Sequence, residues 1–156
     1  MNKLALLLAG AFALAGNLQA AGLEISYYRE GKLLACMSLA DKEFELSFIH
    51  SVSLTPVKDY YQLVESPTGE LTINQTAEVF IAHGQGLPSL VNEPDAKSFK
   101  RRNGKFILEM DRDIGQLIVR TDQRFENRLY AGNRNINLNQ WPDGGLLITP
   151  VSNCQP

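Results

Sequence analysis

Apolar side chains recur at every second position along most of this chain, and this periodicity limits the folds that it can adopt. Phe44, Leu46 and Phe48 alternate with polar residues. The longest such run, residues 71–83, has Leu71, Ile73, Val79 and Ile81 in phase and ends in the stripe Val79-Ile81-His83. A period of two indicates a strand with one buried face, and no long stretch repeats with the helical period of 3.6.

Turn signals divide these alternating runs into short segments. Pro67 to Gly69 and the segment 142–145 are rich in the residues that tight turns prefer. Eight to ten short, mostly antiparallel strands at this spacing predict an all-β single domain, either a β-sandwich or an open β-barrel. We further expect one helical turn within residues 93–103 and a hairpin connection over residues 111–115.

The first twenty residues have the layout of a secretory signal peptide. Lys3 precedes an apolar run from Leu4 to Ala15, and small residues follow around a cleavage position after Ala20 or Ala21. The apolar run is too short to span a bilayer as a helix. The sequence therefore predicts a signal peptide over residues 1–20, a single β domain over residues 21–156, and a periplasmic location.

The chain has two cysteines, Cys36 and Cys154. In an oxidising compartment an even number of cysteines indicates a disulfide, which would join an early strand to the C-terminal segment. The alternative is a buried, free Cys36.

Charge is unevenly distributed along the chain. Residues 21–96 contain four basic and eleven acidic residues, whereas residues 97–134 contain ten basic and five acidic ones. The densest basic patch consists of Lys97, Lys100, Arg101, Arg102 and Lys105. Such a patch can attract an anionic ligand, a lipid surface or an acidic partner, and the alternative is the ordinary surface charge of a solvated hairpin. Given the predicted compartment and the absence of a recognised basic, aromatic-interleaved surface motif, we do not expect a nucleic-acid partner.

Both histidines of the chain end an apolar stripe of a predicted strand. His50 follows Phe48, and His83 follows Ile81, each two residues later. If these strands and the one between them form an antiparallel meander, both imidazoles lie at the same end of the sheet, about 10 Å apart. The polar groups expected at this rim form a candidate ligand or partner site: His50, Ser51, Asp59, Tyr60, His83, Gly84 and Gly86. The alternative is that each histidine bonds a loop and stabilises a turn.

Catalytic and metal motifs are not found in the sequence. His50 and Ser51 are adjacent, so a strand would point them to opposite faces, and there is no nucleophile elbow. The two histidines lack the spacing of metal ligands. We therefore predict neither an enzyme, nor a metal site, nor a cofactor.

Two segments resemble a bacterial family called domain of unknown function 1850. Residues 44–61, Phe-Glu-Leu-Ser-Phe-Ile-His-Ser-Val-Ser-Leu-Thr-Pro-Val-Lys-Asp-Tyr-Tyr, are similar to the family's hallmark, and Gly84-Gln85-Gly86-Leu87-Pro88 is similar to its glycine-rich segment. Ser53 departs from the pattern, because the family usually has Glu there.

The resemblance implies a small extracytoplasmic protein. Members of the family are often encoded beside TAXI-type tripartite ATP-independent periplasmic (TRAP) transporters, which take up organic anions such as carboxylates. It therefore implies an accessory role, with a solute-binding protein or a membrane subunit of the transporter as partner. The alternatives are a stand-alone periplasmic domain that binds a small ligand, such as a carboxylate, and a small hydrolase. We expect a monomer in each case.

Overall fold

A computed structural model describes residues 20–88, 93–141 and 144–154. The predicted signal peptide lies outside these residues, apart from Ala20. The described residues form eleven strands and two single-turn 3-10 helices (Gln123–Phe125 and Leu138–Gln140). The strands are β1 (Gly22–Tyr27), β2 (Leu33–Ser38), β3 (Glu43–Ile49), β4 (Pro56–Glu65), β5 (Leu71–Phe80), β6 (Ala96–Arg102), β7 (Lys105–Gly115), β8 (Leu117–Arg120), β9 (Arg128–Ala131), β10 (Arg134–Asn137) and β11 (Gly145–Val151). Within the described ranges, neither helix has the length or apolarity needed to cross a membrane.

The strands form two antiparallel sheets. The smaller sheet has the order β2-β1-β11-β8, and the larger sheet has the order β10-β9-β3-β4-β5-β7-β6. The sheets do not close into a barrel, so the structure confirms the all-β prediction in its sandwich form. Strands β3, β4 and β5 form the expected meander.

The main core lies where the two sheets face each other. Leu23 and Ile25 of β1, together with Ile148 of β11, are fully buried on the smaller sheet. They belong to one cluster with Phe44 and Leu46 of β3 on the larger sheet. Alternation along these strands places an apolar side chain inward at every second position, which is what the sequence pattern predicts.

A β-bulge in β5 changes which of its side chains are buried. Tyr60 pairs with Ala77 and Tyr61 pairs with Gln75, so Thr76 has no partner opposite it on β4. Beyond this extra residue the alternation shifts by one position. Phe80 is therefore 1% exposed, whereas Ile81 is 41% exposed. The predicted inward stripe Val79-Ile81-His83 is wrong for this reason.

The structure corrects two further local predictions. Residues 96–102, within the segment expected to contain a helical turn, are strand β6. It pairs with β7 through the two-residue turn Asn103-Gly104, where both residues have positive φ, as the hairpin turn with an Asn-Gly pair requires. Residues 111–115 continue β7 and form no hairpin connection, because β7 and β8 belong to different sheets.

The predicted disulfide between Cys36 and Cys154 is present, with the two Cα atoms 5.6 Å apart. It joins β2 to the segment after β11. Gly22 leaves the room that this bond needs, because a Cβ atom at position 22 would lie 2.7 Å from the Cys154 sulfur. The crosslink therefore ties the edge of the smaller sheet to the chain that follows its central strand.

Candidate functional site

His50 lies in the tight turn between β3 and β4. Its backbone N–H donates to the carbonyl of Thr55, and the N–H of Leu54 donates to the carbonyl of His50. The ring Nδ1 accepts from the backbone N–H of Ser53 at 3.2 Å and lies 3.0 Å from the Ser53 hydroxyl. Since Nδ1 is an acceptor for that N–H, a neutral imidazole carries its proton on Nε2.

The glycine-rich loop passes over the free edge of this imidazole. A Cβ atom at Gly84 would lie 3.5 Å from His50 Cε1, and one at Gly86 would lie 3.6 Å from His50 Nε2. Gly86 has a φ of +89°, which favours glycine at this position. The structure thus brings His50, Gly84 and Gly86 together as predicted, and His50 holds two turns in contact.

His83 lies at the same end of the sheet but in an aromatic cluster. Its ring centroid is 4.1 Å from that of Phe106 and 5.7 Å from that of Phe80, and Phe99 completes the group. We call Phe80, His83, Phe99 and Phe106 the aromatic cluster. His83 therefore packs against apolar rings of β5, β6 and β7.

Asp59 and Tyr60 lie on opposite faces of the larger sheet. β4 begins at Pro56, so both residues are within the strand and not at its first position. Asp59 lies on the inner face, where it is opposite Leu46 of β3 and Glu78 of β5. Tyr60 is 36% exposed on the outer face. Asp59 is hydrogen-bonded to Tyr61 and not to His50 or His83, so it does not join the histidines as the sequence predicted.

Asp59 and Glu78 form a pair of carboxyl groups on the inner face. They are directly opposite across β4 and β5, where Cβ atoms lie about 5 Å apart. The hydroxyl of Tyr61 donates to Asp59 Oδ2 at 3.2 Å, while Oδ1 is buried without a hydrogen-bond partner among the described residues. Burial raises the pKa of Asp59 to about 7, while the hydrogen bond from Tyr61 and the nearby side chain of Gln75 oppose this rise.

Burial also raises the pKa of Glu78 to about 7, and the negative charge of Asp59 adds to this effect. Arg112 of β7 is the nearby cation. Its Nε bonds Asp95 at 2.5 Å and its Nη2 bonds Glu93 at 2.7 Å. Because the guanidinium is engaged by these two carboxylates, its opposing effect on the buried pair is smaller than the effect of burial.

Three residues around this pair were not predicted from the sequence to belong to a site: Glu78, Gln75 and Arg112. Simple alternation from Ile73 places residue 78 on the outer face, and only the bulge at Thr76 turns it inward. The signal that was present is a charged residue two positions before Phe80, which places both side chains on one face of the strand.

A shallow groove of about 490 Å³ runs across the outer face of the larger sheet. Glu45 lies directly between Tyr60 and Tyr130, which are its partners on the two neighbouring strands. Asp41 and Glu43 add carboxylates at one end of the groove. Glu45 is paired with Lys58 at 2.7 Å. The groove is therefore aromatic and predominantly acidic.

The predicted basic patch is on the β6–β7 hairpin, and several of its charges have partners. Lys97 pairs with Asp111 at 2.8 Å, and Lys100 pairs with Glu109 at 2.9 Å. Arg101 lies over the ring of Phe106, 5.3 Å from its centroid. The remaining members, Arg102 and Lys105, flank the turn. Local pairing of these residues lowers the net positive charge that the patch presents.

Exposed apolar side chains mark the end of the sheet that carries His50. Val52 and Leu54, both in the His50 turn, are 60% and 70% exposed, and Ile81 before the glycine-rich loop is also exposed. Leu54 has a φ of +53°, which is uncommon for a leucine. We call residues 50–55 together with Ile81 the His50 tip. Across the described ranges, no three His, Cys, Asp or Glu side chains are grouped so that they could hold a metal ion.

Comparison with known proteins gives a single family. The model of the family described as Domain of unknown function (DUF1850) matches residues 44–138, which include the His50 tip, the carboxyl pair and the basic hairpin. No curated protein and no solved structure matches the chain.

Proposed function

Because the chain belongs to the DUF1850 family, we propose that it is an exported accessory domain that docks through its His50 tip onto a protein of a TAXI-type TRAP uptake system. The partner is the solute-binding protein or a membrane subunit. The link to the transporter is what the family resemblance implies. The geometry of the His50 tip supports its role as the docking surface.

The observation that carries the proposal is the exposure of Val52 and Leu54 on a rigid turn. Exposed apolar side chains of this size at one site are typical of surfaces that bind another protein. The hydrogen bonds between His50, Ser53 and Thr55 fix the turn before any partner arrives. Association therefore has less chain entropy to lose.

A tagged full-length chain, used to capture partners from periplasm and membranes of its own organism, tests this proposal. We expect recovery of a transporter component. The double substitution Val52→Ser and Leu54→Asn should reduce this recovery at least tenfold, because it removes the apolar contacts and leaves a residue that tolerates positive φ at position 54. Ile118→Ser is the matched control, since Ile118 is 51% exposed on the smaller sheet.

His50→Ala separates docking from a purely structural role of the histidine. We expect it to weaken capture with only a small change in the unfolding midpoint. Loss of folding without a separable binding defect would assign His50 to structure alone. Equal capture by the double variant and the wild-type chain would show that the tip is not the docking surface.

Binding of a small ligand is a second candidate function, and the outer groove favours it. Two tyrosines beside Glu45, with Asp41 and Glu43 at one end, suit an amine rather than the carboxylate expected from the family resemblance. A ligand that binds the native state raises the melting temperature. A thermal-shift comparison of spermidine with succinate distinguishes these two classes, and Tyr60→Ala should remove any shift caused by the amine.

A further inference from the structure

The carboxyl groups of Asp59 and Glu78 have no place in the docking function proposed above. They are opposite each other on the inner face of the larger sheet, and an oxygen of Asp59 is buried without a partner among the described residues. Two like charges in this position destabilise the fold unless protons or cations compensate for them. The fold must therefore compensate in some way for the negative charge of this pair.

The groups around the pair leave it short of positive charge. On β4, Tyr61 donates one hydrogen bond to Asp59, and on β3 the residue opposite Asp59 is Leu46. On β7 the residue opposite Glu78 is Leu108, which is fully buried.

The remaining facing groups are charged or polar but do not neutralise the pair. Gln75 of β5 is a polar neighbour that lowers the pKa of Asp59. Arg112 of β7 is engaged by Asp95 and Glu93. Glu93 itself adds negative charge near Glu78 and raises its pKa further.

We propose that Asp59 and Glu78 share a proton at neutral pH and lose it as the surroundings become more alkaline, so that this region of the larger sheet responds to pH. The proton moves between a carboxyl oxygen and bulk solvent, and no other bond forms or breaks. The two groups titrate as a coupled pair. Ionisation of both places two negative charges opposite each other, and these charges compete with Glu93 and Asp95 for Arg112.

The pair has a defined effect on stability. In the unfolded chain both carboxyls titrate near pH 4, whereas burial in the fold raises the pKa of each to about 7. The native state consequently binds more protons than the unfolded state between these values, and stability falls as the pH rises through this window. Each group should increase the unfolding equilibrium constant about a hundredfold between pH 5 and pH 8.

Carbon-13 NMR of the carboxyl groups in the full chain tests the proposal directly. We expect the Asp59 and Glu78 carboxyl carbons to titrate with midpoints within about one pH unit of 7. In Glu78→Gln, the midpoint of Asp59 should fall because a neighbouring negative charge has been removed. Midpoints of both groups below pH 5 would overturn the proposal.

Urea unfolding at pH 5 and pH 8 provides a second, independent measurement. Asp59→Asn and Glu78→Gln should each remove about a hundredfold of the pH dependence, because neither amide ionises. Glu65→Gln is the matched control, since Glu65 is an exposed carboxylate paired with Lys42 at 3.3 Å, and it should leave the pH dependence unchanged. If Asp59→Asn does not fold, Glu78→Gln decides the result, and an unchanged dependence in that variant contradicts the proposal.

Discussion

The two ends of the larger sheet are built from different kinds of residue. Where it faces the smaller sheet, the core is formed by apolar side chains such as Leu23, Leu46 and Ile148. Beyond that contact, Phe80 and Leu108 are buried outside the main cluster, next to a histidine and two carboxyl groups. The difference teaches that the first region is an apolar core between two sheets, whereas the second combines buried apolar side chains with groups that can titrate.

Removal of the disulfide should have the largest effect, and it acts on the apolar region. Cys36 and Cys154 are 118 residues apart, so their crosslink stabilises the fold by roughly 4–5 kcal/mol in the chain-entropy model. The variant with both cysteines replaced by alanine should lose a comparable free energy of unfolding in urea. Wild-type protein unfolded in reductant is the control and should match it. A loss below about 1 kcal/mol would mean that the apolar region does not depend on the crosslink.

Tyr61→Phe should have an intermediate effect, and it acts where the two regions meet. Tyr61 stacks on Phe44, which phenylalanine preserves, but its hydroxyl bonds Asp59. Loss of this bond raises the pKa of Asp59 further, so the variant should be less stable by about 1–2 kcal/mol at pH 8 and by less at pH 5, where the carboxyl is protonated.

Unfolding of Tyr61→Phe at the two pH values, with Tyr130→Phe of the outer groove as control, measures this difference. An equal loss at both pH values would indicate that the hydroxyl contributes without regard to the charge of Asp59. In that case Tyr61 would belong to the apolar region and would not connect it to the titratable one.

Leu54→Asn should have the smallest effect and the opposite sign. Leu54 has positive φ and is 70% exposed, so asparagine should stabilise the fold by about 0.5 kcal/mol because it tolerates this conformation better. The urea midpoint checks this, with Val52→Asn as the control at a neighbouring position of ordinary φ. A loss of stability would show that Leu54 stabilises the fold, and that docking is not its only role.

The apolar region could be predicted from the sequence because apolar and polar residues alternate regularly along β3. Phe44, Leu46 and the cysteines lie as the pattern indicates, and the β3-β4-β5 meander brings His50 to the glycine-rich loop. The titratable region was predicted less well. A single extra residue at Thr76 reverses the facing of Glu78, and no local sequence signal specifies a bulge at that position.

The Asn103-Gly104 turn is a second place where the structure differs from the sequence prediction. It is a strong hairpin signal, yet the helical turn expected within residues 93–103 includes Asn103. Arg112 was also out of reach of the sequence, since its pairing with Asp95 depends on how β6 and β7 align. Short-range patterns predict strands, whereas ion pairs between strands depend on register.

The position of β11 has a consequence for how the chain matures. β11 is the last of the strands in the described residues, yet it lies between β1 and β8, pairs with both, and precedes the cysteine that bonds Cys36. A nascent chain that stops before Gly145 would expose two unpaired strand edges and an unreacted thiol. Such edges promote aggregation and invite proteolysis. The smaller sheet can therefore form completely only after the segment from Gly145 to Cys154 has been synthesised.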